Sequence, residues 1–257
     1  MSILDAIIQG VVQGLTEFLP VSSSGHLAIT QHILGAGTGE SNLFFNVMLH
    51  VGTLVAVVAF YHKLVWDLIK EFFLMLKDIF TGKFKWSKMN YNRNLVVMLI
   101  IGLIPLFLLF LPIPGTDMKL KDLADQLSAS PVLIVTACSL ILTSVLLTIG
   151  IIRNRKSVAS THKHLATKSN AKATRDNFNV VDAILVGVTQ VCAALLPGLS
   201  RSGSTLAVGE MRGISKQKAL DYTFVLGIPS ILAAALLEGV DAIKSPEGLS
   251  NIEFIPL

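Results

Sequence analysis

The sequence predicts an all-α, multi-pass membrane protein, and three observations carry that prediction. Of its 257 residues, 52% are hydrophobic and only 15% charged, where a soluble domain carries roughly a quarter, and the mean hydropathy is +0.66. The charges fall mostly in blocks, separated by stretches close to the ~20 apolar residues a helix needs to cross a bilayer. Two of those stretches are broken midway by Pro, Gly and Ser.

Residues 3–34 form the first broken stretch. Proline removes a backbone donor and clashes with the preceding turn, so PVSSSG at residues 20–25 rules out one straight helix. Non-helical backbone at membrane depth is tolerated only where protein or a wet cavity surrounds it, which predicts a re-entrant helix-loop-helix hairpin. Residues 1–5 lack a basic start and residues 7–19 carry Gln9, Gln13 and Glu17, so no cleavable leader is read and the N-terminus is expected to be retained. Continuous spans are expected over 43–61, 95–111 (with Pro105 inside), 132–152 and 219–237, and a second hairpin over 180–211. Cys138 and Cys192 lie in apolar runs without ligand spacing and read as small core residues.

Orientation follows from Lys and Arg in short loops. Residues 63–93 hold seven and residues 153–181 another seven, whereas 113–130 holds only Lys119 and Lys121. Two crossings separate the basic loops, so both are expected on the cytoplasmic side. The pI of about 9.1 then reflects topology, and no nucleic-acid partner is needed to account for it. Residues 157–177, polar and aperiodic, read as a flexible cytoplasmic loop. The expected division is a first repeat over 1–152, a basic linker over 153–179 and a second repeat over 180–257.

The repeat is visible directly. At an offset of 177 residues DAIIQGVVQGLTEFLP (5–20) lies over DAILVGVTQVCAALLP (182–197), with Asp, Ala, Gly, Gln, Leu and Pro shared. The same offset sets Ser24 opposite Arg201 and His26 opposite Gly203. Three crossings lie between the hairpins, so the second is expected from the opposite face, the first entering from outside and the second from the cytoplasm. Inverted repeats with broken helices place their site near the midplane, where the tips meet. Repeat one has a hairpin and three spans, whereas repeat two has a hairpin and one, so the chain ending in IEFIPL reads as truncated by two spans.

The polar residues of the tips carry the chemistry. Gln13 and Glu17 share one helix face, and an ionisable group at this depth is a functional candidate. Gly10 and Gly14 would let another backbone approach. Ser22, Ser23 and Ser24 stand where a returning helix starts, able to cap backbone N–H groups and attract an anion, and His26 is of the residue type that serves as acid, base or nucleophile. In the second tip Arg201, flanked by Ser200, Ser202, Ser204 and Thr205, has a fork that matches phosphate oxygens. It also suits a salt bridge to Glu17, and the two roles are compatible. The oxygen donors suit a divalent cation bridging Glu17 and phosphate. His50, within a span, reads more simply as a hydrogen-bonded core group, and Glu210, Arg212 and Asp221 mark the mouth of the second hairpin.

QGLTEFLPVSSSGH (13–26) and PGLSRSGST (197–205) closely resemble the two signature motifs of the bacterial undecaprenyl-diphosphatase family, the bacitracin-resistance membrane phosphatases, in the same order and spacing. The resemblance implies a cell-membrane hydrolase that converts undecaprenyl diphosphate to the monophosphate and inorganic phosphate with Mg2+ or Ca2+, recycling the lipid carrier of peptidoglycan synthesis. It places Gln13, Glu17, Ser23 and His26, and Ser200, Arg201 and Thr205, at the family's functional positions, and implies two further helices after residue 257. Arg201 is expected to clamp the diphosphate with Ser200, Thr205 and the hydroxyls of Ser22, Ser24 and Ser202, while Glu17 and Gln13 hold metal. Whether Ser23 or His26 attacks phosphorus, or one activates a water, is left open, as is assembly into a homodimer. The rivals are a lipid-phosphate transporter or flippase and a protein that sequesters the lipid.

Overall fold

The protein is an all-α, multi-pass membrane protein. The computed structural model describes residues 2–35, 40–86, 89–116, 118–129, 133–165 and 175–244. The elements are α1 (Ile3–Glu17), α2 (Ser23–Ile33), α3 (Glu40–Phe60), α4 (His62–Phe80), α5 (Tyr91–Leu103) running on into a 3₁₀ segment (Ile104–Phe110), α6 (Leu120–Ala129), α7 (Leu133–Leu165), α8 (Val180–Leu195), α9 (Arg201–Met211) and α10 (Lys216–Lys244). Among the described residues three helical stretches are long and apolar enough to span a membrane, Tyr91–Phe110, Leu133–Arg155 and Lys216–Leu237. A fourth candidate is the pair Phe45–Phe60 and His62–Phe80, bent by 85° at the junction.

Both broken stretches fold as helix-loop-helix hairpins, α1–α2 and α8–α9. Each starts on the same device at the 177-residue offset. Ser2 and Asp5 form a capping box on α1, and Asn179 and Asp182 form one on α8. The returning helices start differently. Ser22 caps α2 through Gly25 N at 3.1 Å, and Ser200 caps α9 through Gly203 N at 2.9 Å, an offset of 178. Pro20 and Ser22 are separated by Val21 alone, whereas Gly198 and Leu199 separate Pro197 from Ser200. By these caps Arg201 is the counterpart of Ser23, and Gly203 of Gly25. The pairings of Ser24 with Arg201 and of His26 with Gly203 are corrected by the extra residue, which Gly198 accommodates at φ +86°.

Helix α1 is amphipathic in reverse. Gln9, Gln13 and Glu17, one turn apart, are buried, while Ile3, Leu4, Ile7, Val11 and Leu15 are exposed. Lipid solvates the apolar side, and the polar side must find partners inside the protein.

A hydrophobic core joins α4, α5, α8, α9 and α10. Tyr222 is fully buried, stacks on Phe178 at 4.0 Å and donates to Met98 O at 2.7 Å. Pro105 forces the switch from α to 3₁₀ geometry in the middle of a span. There Gln190 Nε2 donates to Gly102 O at 3.1 Å. The repeat-related glutamines thus serve different ends, Gln190 on a backbone carbonyl and Gln13 on a carboxylate. Asp182, wholly buried, accepts from Arg212 Nε at 2.7 Å and pairs with Arg175 Nη2 at 2.9 Å, closing the base of the second hairpin.

Three further sequence expectations need correction. Residues 63–93 are not a plain loop: α4 occupies 62–80, and α5 starts at Tyr91, ahead of the expected 95. The linker expected over 153–179 begins helical, since α7 continues to Leu165; residues 166–174, with Lys88 and the terminal IEFIPL, lie outside the described residues. Cys138 and Cys192, expected in the core, are exposed on the helix flanks.

Candidate active site

The two hairpin tips meet. A Cβ on Gly203 would come within 2.8 Å of Pro20 O, so only glycine allows the second tip this close to the first. Beside the contact lies a cavity of about 430 Å³, lined by the first residues of both returning helices, Ser22, Ser23 and Ser24 from one hairpin and Ser200, Arg201 and Ser202 from the other. Two helix N-termini therefore open on one space, each directing backbone N–H groups and the positive end of its dipole toward it.

Glu17 is the hub. Its Oε2 accepts from Ser23 Oγ at 2.6 Å and Gln13 Nε2 at 3.0 Å, and its Oε1 accepts from Arg201 Nη2 at 3.4 Å. The side chain is only 8% exposed, against 27% for Arg201, so Arg201 keeps surface free for another anion. The Ser23 hydroxyl is presented through an unusual turn: Ser22, at φ +71°, is the one non-glycine residue among those described with a positive φ. On the second tip Ser200 N donates to Thr143 Oγ1 at 3.0 Å, tying the loop to α7.

His50 is the residue that sequence reasoning set aside. It lines the cavity, and its Nε2 lies 3.7 Å from Glu17 Oε2. Its Nδ1 lies 2.7 Å from Asn46 O, which holds the ring and leaves Nε2 toward the carboxylate. A chain of amides supports it, with Gln31 Nε2 donating to Asn46 Oδ1 at 2.7 Å and to Gln9 Oε1 at 2.8 Å. The only sequence signal was a histidine on a polar strip within a span. His26, by contrast, is not among the cavity-lining residues, and its Nδ1 lies 2.7 Å from Ser22 O. Thr205 is also absent from the lining; its hydroxyl donates to Arg201 O at 2.8 Å and sits 3.2 Å from Thr223 Oγ1. Away from the polar end the cavity wall is apolar, including Leu106, Leu109, Phe110 and Leu237, with Lys121 and Asp125 of α6 at its margin.

The sequence pattern of the bacitracin resistance protein BacA family matches residues 6–255. The chain belongs to this family. Among relatives of this BacA-family chain is the undecaprenyl-diphosphatase of Alkaliphilus metalliredigens, 38% identical over 95% of this chain and 79% of its own. Those of Bacteroides thetaiotaomicron and Methanobrevibacter smithii are 34% and 37% identical, over 100% and 93% of this chain and 83% and 76% of theirs.

The donors in this BacA-family site are consistent with a hard divalent cation. Gln13 Oε1 is buried without a hydrogen-bond partner, beside the Glu17 carboxylate and the Ser23 hydroxyl. Among the described residues no cluster of three or more His, Cys, Asp or Glu offers a self-sufficient metal cage. Mg2+ and Ca2+ favour such oxygen donors, and Mg2+ commonly takes one or two protein ligands with substrate phosphates completing its shell; the set does not suit a structural zinc.

Proposed function

We propose that this chain hydrolyses undecaprenyl diphosphate to undecaprenyl phosphate and inorganic phosphate in the cell membrane, supplying lipid carrier to peptidoglycan synthesis and so supporting bacitracin resistance. The observation that carries the reading is Ser23 Oγ at 2.6 Å from the buried Glu17 carboxylate, on the wall of a cavity where Arg201 and two helix N-termini converge. Such a space suits a diphosphate, whose charge the dipoles and the guanidinium offset.

Glu17 takes the Ser23 proton as Oγ attacks the terminal phosphorus, a hydroxyl activated by an adjacent base. The new Oγ–P bond forms, the bond from phosphorus to the bridging oxygen breaks, and undecaprenyl phosphate leaves. Glu17 passes that proton to the departing bridging oxygen; water then attacks the phosphoserine phosphorus and gives its proton to Glu17, the Oγ–P bond breaks, Glu17 returns the proton to Ser23 Oγ, and inorganic phosphate is released. Arg201, Ser24, Ser200 and Ser202 hold the phosphoryl oxygens as charge builds on them. His26 fixes the turn carrying Ser22 and Ser23, and Thr205 fixes the first turn of α9. A divalent cation held by Glu17 and Gln13 would supply further charge neutralisation. The apolar wall takes the prenyl chain.

In this reading the hairpins enter from opposite faces, the first from outside, with the basic segments 63–93 and 153–181 cytoplasmic. Transport finds no support in the relatives. The deciding measurement is phosphate release from undecaprenyl diphosphate in detergent, paired with a search for phosphorylated Ser23. Full activity in Ser23→Ala would remove Ser23 from the chemistry, and lipid translocation without phosphate release would overturn the reading.

A further inference from the structure

Helix α4 carries four separate stripes, each repeating every seven residues, close to two helical turns. Leu68 and Met75 are buried. Glu71 and Asp78 both pair with Arg93, at 3.1 and 2.8 Å, so both acids are turned to the protein and share one guanidinium. Trp66, Phe73 and Phe80 are 59%, 63% and 85% exposed. Beside this aromatic stripe run Lys63, Lys70 and Lys77, all exposed. The acid on the outward surface, Asp67, is met by Lys70 at 3.7 Å, and the same ammonium lies 5.4 Å from the Trp66 ring centroid.

The 85° bend after α3 turns α4 across the direction of the preceding membrane helix, and Arg93 fixes its rotation. An aromatic stripe flanked by lysines, on a helix lying across a span, is the arrangement of a segment resting at the bilayer surface: rings enter the acyl boundary while lysines reach up to head groups.

We propose that α4 is an interfacial helix that gathers anionic bilayer lipid, with Lys63, Lys70 and Lys77 contacting the head-group phosphates and Trp66, Phe73 and Phe80 seated in the acyl boundary. The bilayer fits this face better than a protein does, because the outward surface combines large apolar rings with three lysines against the single acid Asp67, Glu71 and Asp78 being turned inward. Each lysine near an anionic surface strengthens attraction to it by about fivefold.

The test uses the full chain with Trp86→Phe, which leaves Trp66 as the single tryptophan, in phosphatidylcholine vesicles containing some phosphatidylglycerol. Either lipid carries acyl-chain bromine as a quencher, at equal mole fraction. Brominated phosphatidylglycerol is expected to quench Trp66 several-fold more effectively than brominated phosphatidylcholine. The preference should shrink in high salt and fall to unity when Lys63, Lys70 and Lys77 are all changed to Gln, with phosphatidylcholine quenching and phosphatase activity retained. Equal quenching by the two lipids, or a preference that survives the triple substitution, would overturn the anionic selectivity. No quenching by either would mean that protein, a second copy included, covers this face.

Discussion

Replacing Glu17 by glutamine keeps shape and removes charge, which isolates what the carboxylate does. In the structure it accepts from Ser23, Gln13 and Arg201 at 2.6, 3.0 and 3.4 Å. A glutamine whose oxygen faces Ser23 and Gln13 must turn its NH2 group toward Arg201, two donors face to face. At 3.4 Å and an effective dielectric of about 20 the lost Coulomb attraction is about 5 kcal/mol before desolvation, and solvent on the exposed side of Arg201 reduces it well below that. Loss of the base should lower kcat by about 10²- to 10⁴-fold, equivalent to about 3 to 5 kcal/mol of barrier. Phosphate affinity should move the other way, because Arg201 no longer shares its charge with Glu17. The assay is steady-state phosphate release at saturating metal, with inorganic phosphate as competitive inhibitor, and circular dichroism to verify folding. A kcat within fivefold of the parent, or a loss confined to KM, would refute the role of Glu17 as base.

Other expectations follow from the same contacts. Arg201→Lys keeps the charge but loses the fork, and should raise KM by about tenfold or more while Ser23 remains competent to be phosphorylated; an unchanged KM would count against the clamp. His50→Gln should retain more activity than His50→Phe, since an amide keeps a polar group facing the Glu17 carboxylate, which lies 3.7 Å from His50 Nε2; equal rates in steady-state assays would reduce His50 to packing. Chelation should abolish turnover and Mg2+ or Ca2+ restore it, and Gln13→Leu should raise the metal concentration for half-maximal activity by about tenfold, a shift absent if the buried Oε1 is only structural. Gly203→Ala sets a methyl 2.8 Å from Pro20 O, so the tips must part, lowering stability by about 1 to 3 kcal/mol, readable as a fall in thermal midpoint.

Much of this was legible in the sequence because lipid constrains a chain locally. A proline and glycine break inside an apolar run has few solutions at membrane depth, so both hairpins could be read within a few residues of their observed bounds. What stayed hidden depended on amphipathicity seen from only one side. Residues 63–93 looked like a basic loop because their lysines were counted and the seven-residue stripes of the helix His62–Phe80 were not. The linker looked aperiodic, yet α7 runs through its first part to Leu165. The one-residue difference between PVS and PGLS, invisible in an ungapped offset, decides that Arg201 starts its helix where Ser23 starts the other.

The sequence by itself determined the class of protein, the two polar tips and the residue types gathered there, since apolar length, breaks and charge blocks are properties of contiguous segments. Only the tertiary structure decided which of these residues meet. Glu17 and Arg201 are 184 positions apart and touch because Gly203 lets the tips approach. His50 reaches the carboxylate because α3 presents it to the cavity, while His26, in the stronger motif, folds back on Ser22. Contacts between distant helices depend on how each rotates about its axis, and that rotation is settled by partners the local sequence does not contain.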